Sequence, residues 1–224
     1  MLLTLLAACS AAAPLAWVKV PSDRPADALP LVIAVHGLGD RPESLAALVG
    51  SCDLPVRIVA PRAPEPHGDG WSWFGIDRTT SPPTPEADGI ARSADRLAEL
   101  IATVKSSRTV VGEPVITGFS QGGMLSFAVA TRHPDAVGTA IPIAGVLPEP
   151  LLPSAPPPEG GPVVRALHGL SDPLVPADAA RRTVAALQAQ RWDVSLAEFE
   201  DTAHQVTPPV RRAMCEELTR AIAR

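Results

Sequence analysis

The chain has 224 residues, of which 46% are hydrophobic and 19% charged, and a formal net charge of -5 with a pI of about 5.5. This size and composition are typical of one globular domain with a substantial core, and they exclude a disordered or fibrous protein. The acidic balance, without any run of Lys or Arg, also disfavours nucleic acid as a partner.

The N-terminal segment is apolar, with no charged side chain from Met1 to Val18. It resembles the core of a signal peptide, but it is short, has no basic leader and contains Pro14, so it does not predict a membrane-spanning helix. Leu6-Ala7-Ala8-Cys9 is typical of the end of a bacterial lipoprotein signal, in which the Cys becomes the lipidated first residue.

Because eight residues are too few for a working signal, the lipoprotein interpretation requires a start codon further upstream. The alternative is a chance match in a leader rich in Ala and Leu. We therefore expect an apolar leader over residues 1–14, with Cys9 as the candidate lipidation site and membrane attachment, and a domain over residues 15–224. A location in the bacterial cell envelope is preferred to the cytoplasm.

Predicted strands and helices alternate along the rest of the chain. The predicted strands cover residues 15–20, at an edge, then 31–35, 56–60, 115–117, 138–143, 163–167 and 194–199. The predicted helices cover residues 42–49, 86–105, 121–133, 178–190 and 208–223, and the Pro-rich stretches 61–85 and 147–162 are predicted to be loops. The pattern predicts a single α/β domain with a mostly parallel sheet covered by helices on both faces.

The three cysteines, Cys9, Cys52 and Cys215, are too few and too scattered for a disulfide framework. They also lack the paired spacing of a zinc site. The sequence therefore predicts neither a disulfide framework nor a bound metal.

Gly118-Phe119-Ser120-Gln121-Gly122 has the pattern G-x-S-x-G, with a buried predicted strand before it and a predicted helix after it. A serine in this context lies on a tight strand-to-helix turn, where flanking glycines leave room for the neighbouring strands. The turn exposes the hydroxyl at the helix N-terminus. We interpret Ser120 as a nucleophile, the alternative being a chance match in a Gly-containing loop.

A serine hydroxyl needs a base to accept its proton and an acid to orient that base. In α/β-hydrolases the acid and then the histidine follow the serine in the chain. His204, between the last predicted strand and helix, is the candidate base, whereas His133 is too close in sequence and His168 precedes the acid. Asp172, after a predicted strand, is the candidate acid, and Asp201 is its competitor.

Acyl transfer also needs hydrogen-bond donors for the oxyanion that forms on the attacked carbonyl. The first candidate donor is the backbone N–H of Gln121, directly after the nucleophile. The second is the backbone N–H of Leu38, in the glycine-containing sequence His36-Gly37-Leu38-Gly39-Asp40 after an early buried strand. The alternative for this sequence is an ordinary glycine turn.

Four motifs now stand in order along the chain: His36-Gly37-Leu38-Gly39-Asp40, Gly118-Phe119-Ser120-Gln121-Gly122-Gly123-Met124, His168-Gly169 with Asp172-Pro173-Leu174-Val175-Pro176, and His204. Together they resemble the phospholipase/carboxylesterase family of α/β-hydrolases, which includes bacterial carboxylesterases and acyl-protein thioesterases. The resemblance runs from about residue 15 to the C-terminus. Two features depart from the family pattern, Ala203, where the family usually has Gly, and the long Pro-rich stretch 147–162, and neither includes a member of the triad.

The resemblance implies a hydrolase without a cofactor that acts on short or medium acyl esters, with thioester and lysophospholipid activity in some members. It implies a small-molecule acyl substrate and a monomer or homodimer. Trp71-Ser72-Trp73-Phe74 resembles the family's aromatic loop beside the active site, so Trp71, Trp73 and Phe74 either contact substrate or cap the core. The alternatives are a cell-envelope esterase for aromatic or polymeric esters and a non-catalytic relative that only binds.

Overall fold

The computed structural model describes residues 13–19, 28–80 and 84–224 of the chain. The predictions for Cys9 and for most of the leader over residues 1–14 lie outside the described residues. So does Val20, the last residue of the first predicted strand.

The described residues contain eleven strands and five α-helices. In chain order they are β1 (Trp17–Lys19), β2 (Leu31–Val35), α1 (Pro42–Gly50), β3 (Arg57–Pro61), β4 (Glu65–His67), β5 (Gly70–Ser72), β6 (Ile76–Asp77), β7 (Thr84–Pro85), α2 (Ala87–Ser107), β8 (Val115–Phe119), α3 (Gln121–Arg132), β9 (Thr139–Ile143), β10 (Val163–Gly169), α4 (Ala177–Ala189), β11 (Val194–Phe199) and α5 (Pro208–Ile222). All the predicted helices and sheet strands are present, with ends that differ from the predicted ones by one or two residues for most elements.

Seven strands form the central sheet in the order β1-β3-β2-β8-β9-β10-β11. Strand β1 pairs antiparallel to β3 at the edge, and the other six strands run parallel. Every residue of β2, β3 and β9 is buried, as expected for continuous apolar strands that are covered on both faces. Strand β8, which leads to Ser120, lies in the middle of this sheet.

The helices divide between the two faces of the sheet, where they bury separate clusters of apolar side chains. Helices α2, α3 and α4 cover one face with residues that include Leu97, Leu125 and Leu187. Helices α1 and α5 cover the other with Val49 and Met214 among others. This arrangement confirms the single-domain α/β architecture. Among the helices of the described ranges, none is both long and apolar enough to cross a membrane.

Residues 61–85, predicted to be a loop, instead contain two small antiparallel hairpins, which corrects the prediction. Strand β4 pairs with β5 and β6 pairs with β7. Gly68, at φ +57°, lies in the turn of the first hairpin. Strands of two or three residues are too short to show an alternating hydrophobic pattern, so sequence periodicity could not reveal them.

A disulfide joins Cys52 to Cys215, with the two Cα atoms 5.3 Å apart. The expectation that these scattered cysteines form no disulfide framework is therefore wrong for this pair. Cys52 follows α1 and Cys215 lies in α5, and these two helices cover the same face of the sheet. The fold brings together residues that are 163 positions apart, which the cysteine spacing alone could not indicate.

We expect loss of this disulfide to lower the free energy of unfolding by about 2–4 kcal/mol, because the bond restricts the unfolded chain across a long loop. Urea unfolding of the wild type with and without a thiol reductant measures the change. The variant with Cys52→Ser and Cys215→Ser together is the control, since it should match the reduced wild type and show no response to reductant. Equal stability of oxidised and reduced wild type would contradict the prediction.

Candidate active site

Ser120 lies at the sharp turn between β8 and α3, with backbone angles φ 57° and ψ −114°. A positive φ at a residue with a side chain costs about 1–3 kcal/mol and persists only where the surroundings enforce it. Here the Ser120 N–H donates to the carbonyl of Ile143 at 2.9 Å, and the Ser120 carbonyl accepts from Met124 N–H at 2.9 Å. The neighbouring strand β9 and the first turn of α3 therefore hold the serine in its strained conformation.

The glycines on either side of the serine are required by close backbone contacts. A Cβ atom on Gly122 would lie 1.9 Å from the carbonyl oxygen of Val35, and one on Gly118 would lie 2.3 Å from the carbonyl oxygen of Gly122. Neither contact is sterically allowed. The turn thus packs against the end of β2 as closely as the G-x-S-x-G pattern predicts.

His204 and Asp172 converge on this serine from two later loops. The Nε2 atom of His204 lies 2.9 Å from Ser120 Oγ, and its Nδ1 atom lies 2.6 Å from Asp172 Oδ2. The Asp172 side chain is fully buried and that of His204 is 13% exposed. With the imidazole proton on Nδ1, Nε2 is free to accept the proton of the serine hydroxyl.

The Asp172 carboxylate is fixed by its own loop. Its Oδ1 atom accepts the backbone N–H groups of Leu174 and Val175, each at 2.9 Å. This leaves Oδ2 directed at His204. Asp201, the competing acid, is exposed at a turn with φ 50°, and it makes no hydrogen bond to His204 within the described residues.

The other two histidines considered as bases have different partners. Nε2 of His168 donates to the carbonyl of Val175 at 2.8 Å, so this ring supports the loop that carries Asp172. Nε2 of His133 lies 2.7 Å from Asp95, between α2 and α3. Phe119 also lies beside the base, with its ring centroid 4.8 Å from that of His204, a contact that the motifs in the sequence did not indicate. The position of Phe119 directly before the nucleophile could have indicated that its side chain lies at the site.

Leu38, the candidate oxyanion donor, lies in the loop after β2, beside the end of β8. The next residue, Gly39, donates its N–H to the carbonyl of Trp71 at 2.9 Å. In contrast, the N–H groups of Leu38 and Gln121 donate no hydrogen bond within the described residues. Gln121 is the first residue of α3, where backbone N–H groups have no partner inside the helix.

His36 supports this loop as a neutral ring. Its Nε2 atom accepts the N–H of Ala63 at 3.2 Å, which places the ring proton on Nδ1, 2.7 Å from the carbonyl of Gly37. Burial lowers the pKa of the His36 imidazole below its ordinary value of 6.5, and the hydrogen bond to the Gly37 carbonyl and the carboxylates of Asp40 and Glu43 oppose this only in part. Protonation would remove the acceptor that Ala63 uses.

We expect the free energy of unfolding to fall as the pH drops below 6.5. The unfolded chain then binds a proton at His36 that the folded protein binds only at lower pH, so the stabilisation present above 6.5 is lost in this window. Urea unfolding across this pH range measures the slope. The His36→Gln variant keeps an acceptor but does not titrate, so its slope should be smaller. If the free energy of unfolding of this variant depended on pH as steeply as that of the wild type, His36 would not be the group responsible.

The aromatic segment Trp71-Ser72-Trp73-Phe74 packs against the core. Trp73 and Phe74 are only 2% and 5% exposed, which fits the role of capping the core. Trp71 is half-buried, and the guanidinium of Arg62 lies 4.2 Å from the centre of its ring. Of the three aromatic residues predicted as substrate contacts, Trp71 has the most surface for a ligand to reach.

A sequence model of the phospholipase/carboxylesterase family matches residues 17–219. The chain belongs to this family. The resemblance seen in its motifs is thereby confirmed, and the chain is an α/β-hydrolase of the phospholipase/carboxylesterase family.

Relatives of this family member are known in sequence and in structure. The protein named "Putative esterase NocK" from Nocardia uniformis subsp. tsuyamanensis is 30% identical over 151 residues, which are 66% of this chain and 42% of NocK. This chain thus matches less than half of the length of that relative.

Two solved structures share the fold along nearly their whole length. Esterase PE8 has a TM-score of 0.79 at 22% identity, over 93% of this chain and all of PE8. The acyl-protein thioesterase 2 of Zea mays has a TM-score of 0.75 at 20% identity, over 92% of this chain and 99% of its own. At these identities the likeness shows the α/β-hydrolase fold.

Proposed function

We propose that this protein is a serine hydrolase that cleaves carboxylic esters or thioesters of short to medium acyl chains through a covalent acyl-enzyme on Ser120. The observation that carries the proposal is the continuous chain of hydrogen bonds from Ser120 Oγ through His204 to the buried carboxylate of Asp172. A nucleophile, a base and an orienting acid at these distances are what acyl transfer requires.

In the first half of the reaction, His204 Nε2 accepts the proton of Ser120 as Oγ attacks the carbonyl carbon. The carbonyl oxygen gains negative charge, which the N–H groups of Leu38 and Gln121 stabilise. The tetrahedral intermediate then expels the alcohol or thiol, which takes the proton from His204. An ester bond to Ser120 has formed, and the substrate's ester or thioester bond has broken.

In the second half, His204 accepts a proton from a water molecule while the water oxygen attacks the acyl carbon. Collapse of the second intermediate releases the carboxylic acid and returns the proton to Ser120. The atoms balance with water as the only co-reactant, so the chemistry needs no cofactor.

The second candidate function is that of a cell-envelope esterase that acts on aromatic or polymeric esters. The disulfide between Cys52 and Cys215 favours the location of this candidate in the cell envelope, because such bonds persist in oxidising compartments and are rare in the cytosol. A non-catalytic binding role is disfavoured, since proteins of that kind normally lack a member of the triad, and all three side chains are present and in contact here.

The test is a profile of kcat/KM on matched oxygen and sulfur esters of increasing acyl length, with a feruloyl ester alongside. Labelling by a fluorophosphonate, which reacts with an activated serine only, is recorded in parallel. We expect labelling together with the highest kcat/KM on a short or medium acyl chain. A clear preference for the feruloyl ester would favour the envelope esterase, and absence of both labelling and turnover would overturn the proposal.

A further inference from the structure

We propose that the side chain of Gln121 is a positioning residue that aligns the two halves of the oxyanion hole. The inference rests on the proposed function, in which the N–H groups of Leu38 and Gln121 must both point at the same oxyanion. The backbone of Gln121 supplies one of these donors. Its side chain controls the other through the aromatic segment 71–74.

Gln121 is 2% exposed, and its side chain forms hydrogen bonds with the segment 72–74. Its Oε1 atom accepts the Trp73 N–H at 2.9 Å, and its Nε2 atom donates to the Phe74 carbonyl at 2.9 Å. The Ser72 hydroxyl lies 3.4 Å from Nε2 and 3.5 Å from Oε1. One buried amide thus pairs with two successive backbone groups, for which it needs both a donor and an acceptor.

The same aromatic segment is bonded on its other side to the loop that carries Leu38. The indole N–H of Trp73 donates to the His36 carbonyl at 3.0 Å. Trp71 accepts the Gly39 N–H at 2.9 Å and donates its own N–H to the Asp40 carbonyl at 3.1 Å. The residues on both sides of Leu38 are therefore held by the segment that Gln121 holds.

These contacts connect the first turn of α3 to the Leu38 loop through the segment 71–74, by its backbone groups and by the indole of Trp73. Oxyanion donors act only when they lie within about 2.7–3.1 Å of the oxygen of the intermediate, so a small shift of one donor weakens catalysis. The turn at Ser120 fixes the Gln121 N–H. The position of the Leu38 N–H depends on the segment 71–74, and hence on the Gln121 side chain.

The aromatic segment 71–74 is also held by a hydrogen bond from outside the turn at Ser120. The Ser93 hydroxyl, on α2, donates to the Trp73 carbonyl at 2.7 Å. Because this bond and the burial of Trp73 and Phe74 remain when the Gln121 amide is lost, a variant at position 121 should fold with the segment displaced slightly. The Ser93→Ala variant offers an independent way to loosen the same segment.

The first test compares Gln121→Met, which has a similar volume but neither hydrogen bond, with the wild type on a nitrophenyl ester. We expect kcat to fall by about 10- to 100-fold, less than the loss of a whole oxyanion donor, with little change in KM. The Ki of a boronic acid, whose adduct with Ser120 resembles the tetrahedral intermediate, should rise by a similar factor. Ser93→Ala should lower kcat by a smaller factor.

Ser126→Ala is the matched control. Ser126 lies on the same helix, is fully buried, and donates to the Gly122 carbonyl at 2.8 Å, whereas it makes no hydrogen bond to the aromatic segment among the described residues. We expect its kcat and boronate Ki to equal those of the wild type even where its thermal stability falls. A purely structural role for Gln121 would lower stability in the same way and leave both catalytic constants unchanged.

The second test uses Gln121→Glu. A carboxylate keeps the acceptor for Trp73 but cannot donate to the Phe74 carbonyl, whereas the protonated acid regains a donor. The ratio of this variant's kcat to the wild-type value should therefore rise as the pH falls, while the ratio for Gln121→Met stays flat. The nearby titratable groups, His36 beside Trp73 and His204 beside Ser120, are present in every variant, and the ratio for Gln121→Met records their effect on kcat without an added charge.

Wild-type kcat and boronate Ki in Gln121→Met would overturn the inference, and so would a Gln121→Glu ratio that falls as the pH falls. That outcome differs from failure of the proposed function, in which the wild type itself would show neither turnover nor labelling by a fluorophosphonate. The inference fails alone when the wild type is active and these variants are equally active.

Discussion

Ser120→Ala is expected to lower ester hydrolysis by about 10⁵- to 10⁶-fold, because no other group in the turn can form the acyl-enzyme. The alanine keeps a β-carbon in the same strained conformation, and the backbone bonds to Ile143 and Met124 do not involve the hydroxyl. The fold should therefore remain intact. Steady-state kinetics on a nitrophenyl ester, together with thermal unfolding, measure the two effects separately.

Ser171→Ala is a suitable control, because its exposed side chain lies in the acid loop, next to Asp172 in sequence, and is not part of the triad. We expect this variant to keep most of the wild-type activity. Turnover or labelling by a fluorophosphonate that survives in Ser120→Ala would remove Ser120 as the nucleophile.

His204→Ala is expected to lower kcat by several orders of magnitude, about 10⁴-fold or more. Without the imidazole, nothing accepts the serine proton at 2.9 Å, and the buried carboxylate of Asp172 loses the partner at its Oδ2 atom. Added imidazole should restore part of the activity if it enters the vacated space. Kinetics with and without imidazole measure both effects.

His133→Gln is the control for this prediction, since its ring pairs with Asp95 between α2 and α3. It should retain wild-type turnover. Near-normal activity in His204→Ala would instead transfer the role of base to His168, the nearest other imidazole to Asp172 at 3.8 Å.

The features that sequence reasoning predicted are those with a strong local signal. The buried strand before Ser120 and the helix after it are evident from apolar periodicity, and the flanking glycines mark the tight turn. The chain order of nucleophile, acid and base then restricted the choice to Asp172 and His204. In the fold these side chains lie at hydrogen-bonding distances, although they come from loops far apart in sequence.

The features that it missed depend on contacts between distant segments. The disulfide of Cys52 and Cys215 exists because α1 and α5 cover the same face of the sheet, and no spacing rule indicates that. The hairpins within residues 61–85 are too short for a periodic pattern. The side chain of Gln121 was assigned no role, because its partners lie 47 or more residues away in the chain.

The most direct test of the central claim is mass spectrometry of the protein after reaction with a fluorophosphonate and proteolysis. We expect a stoichiometric adduct on the peptide that contains Ser120, and none on that peptide when the serine is replaced by alanine. An unmodified Ser120 in protein that hydrolyses esters, or an adduct on a different residue, would contradict it.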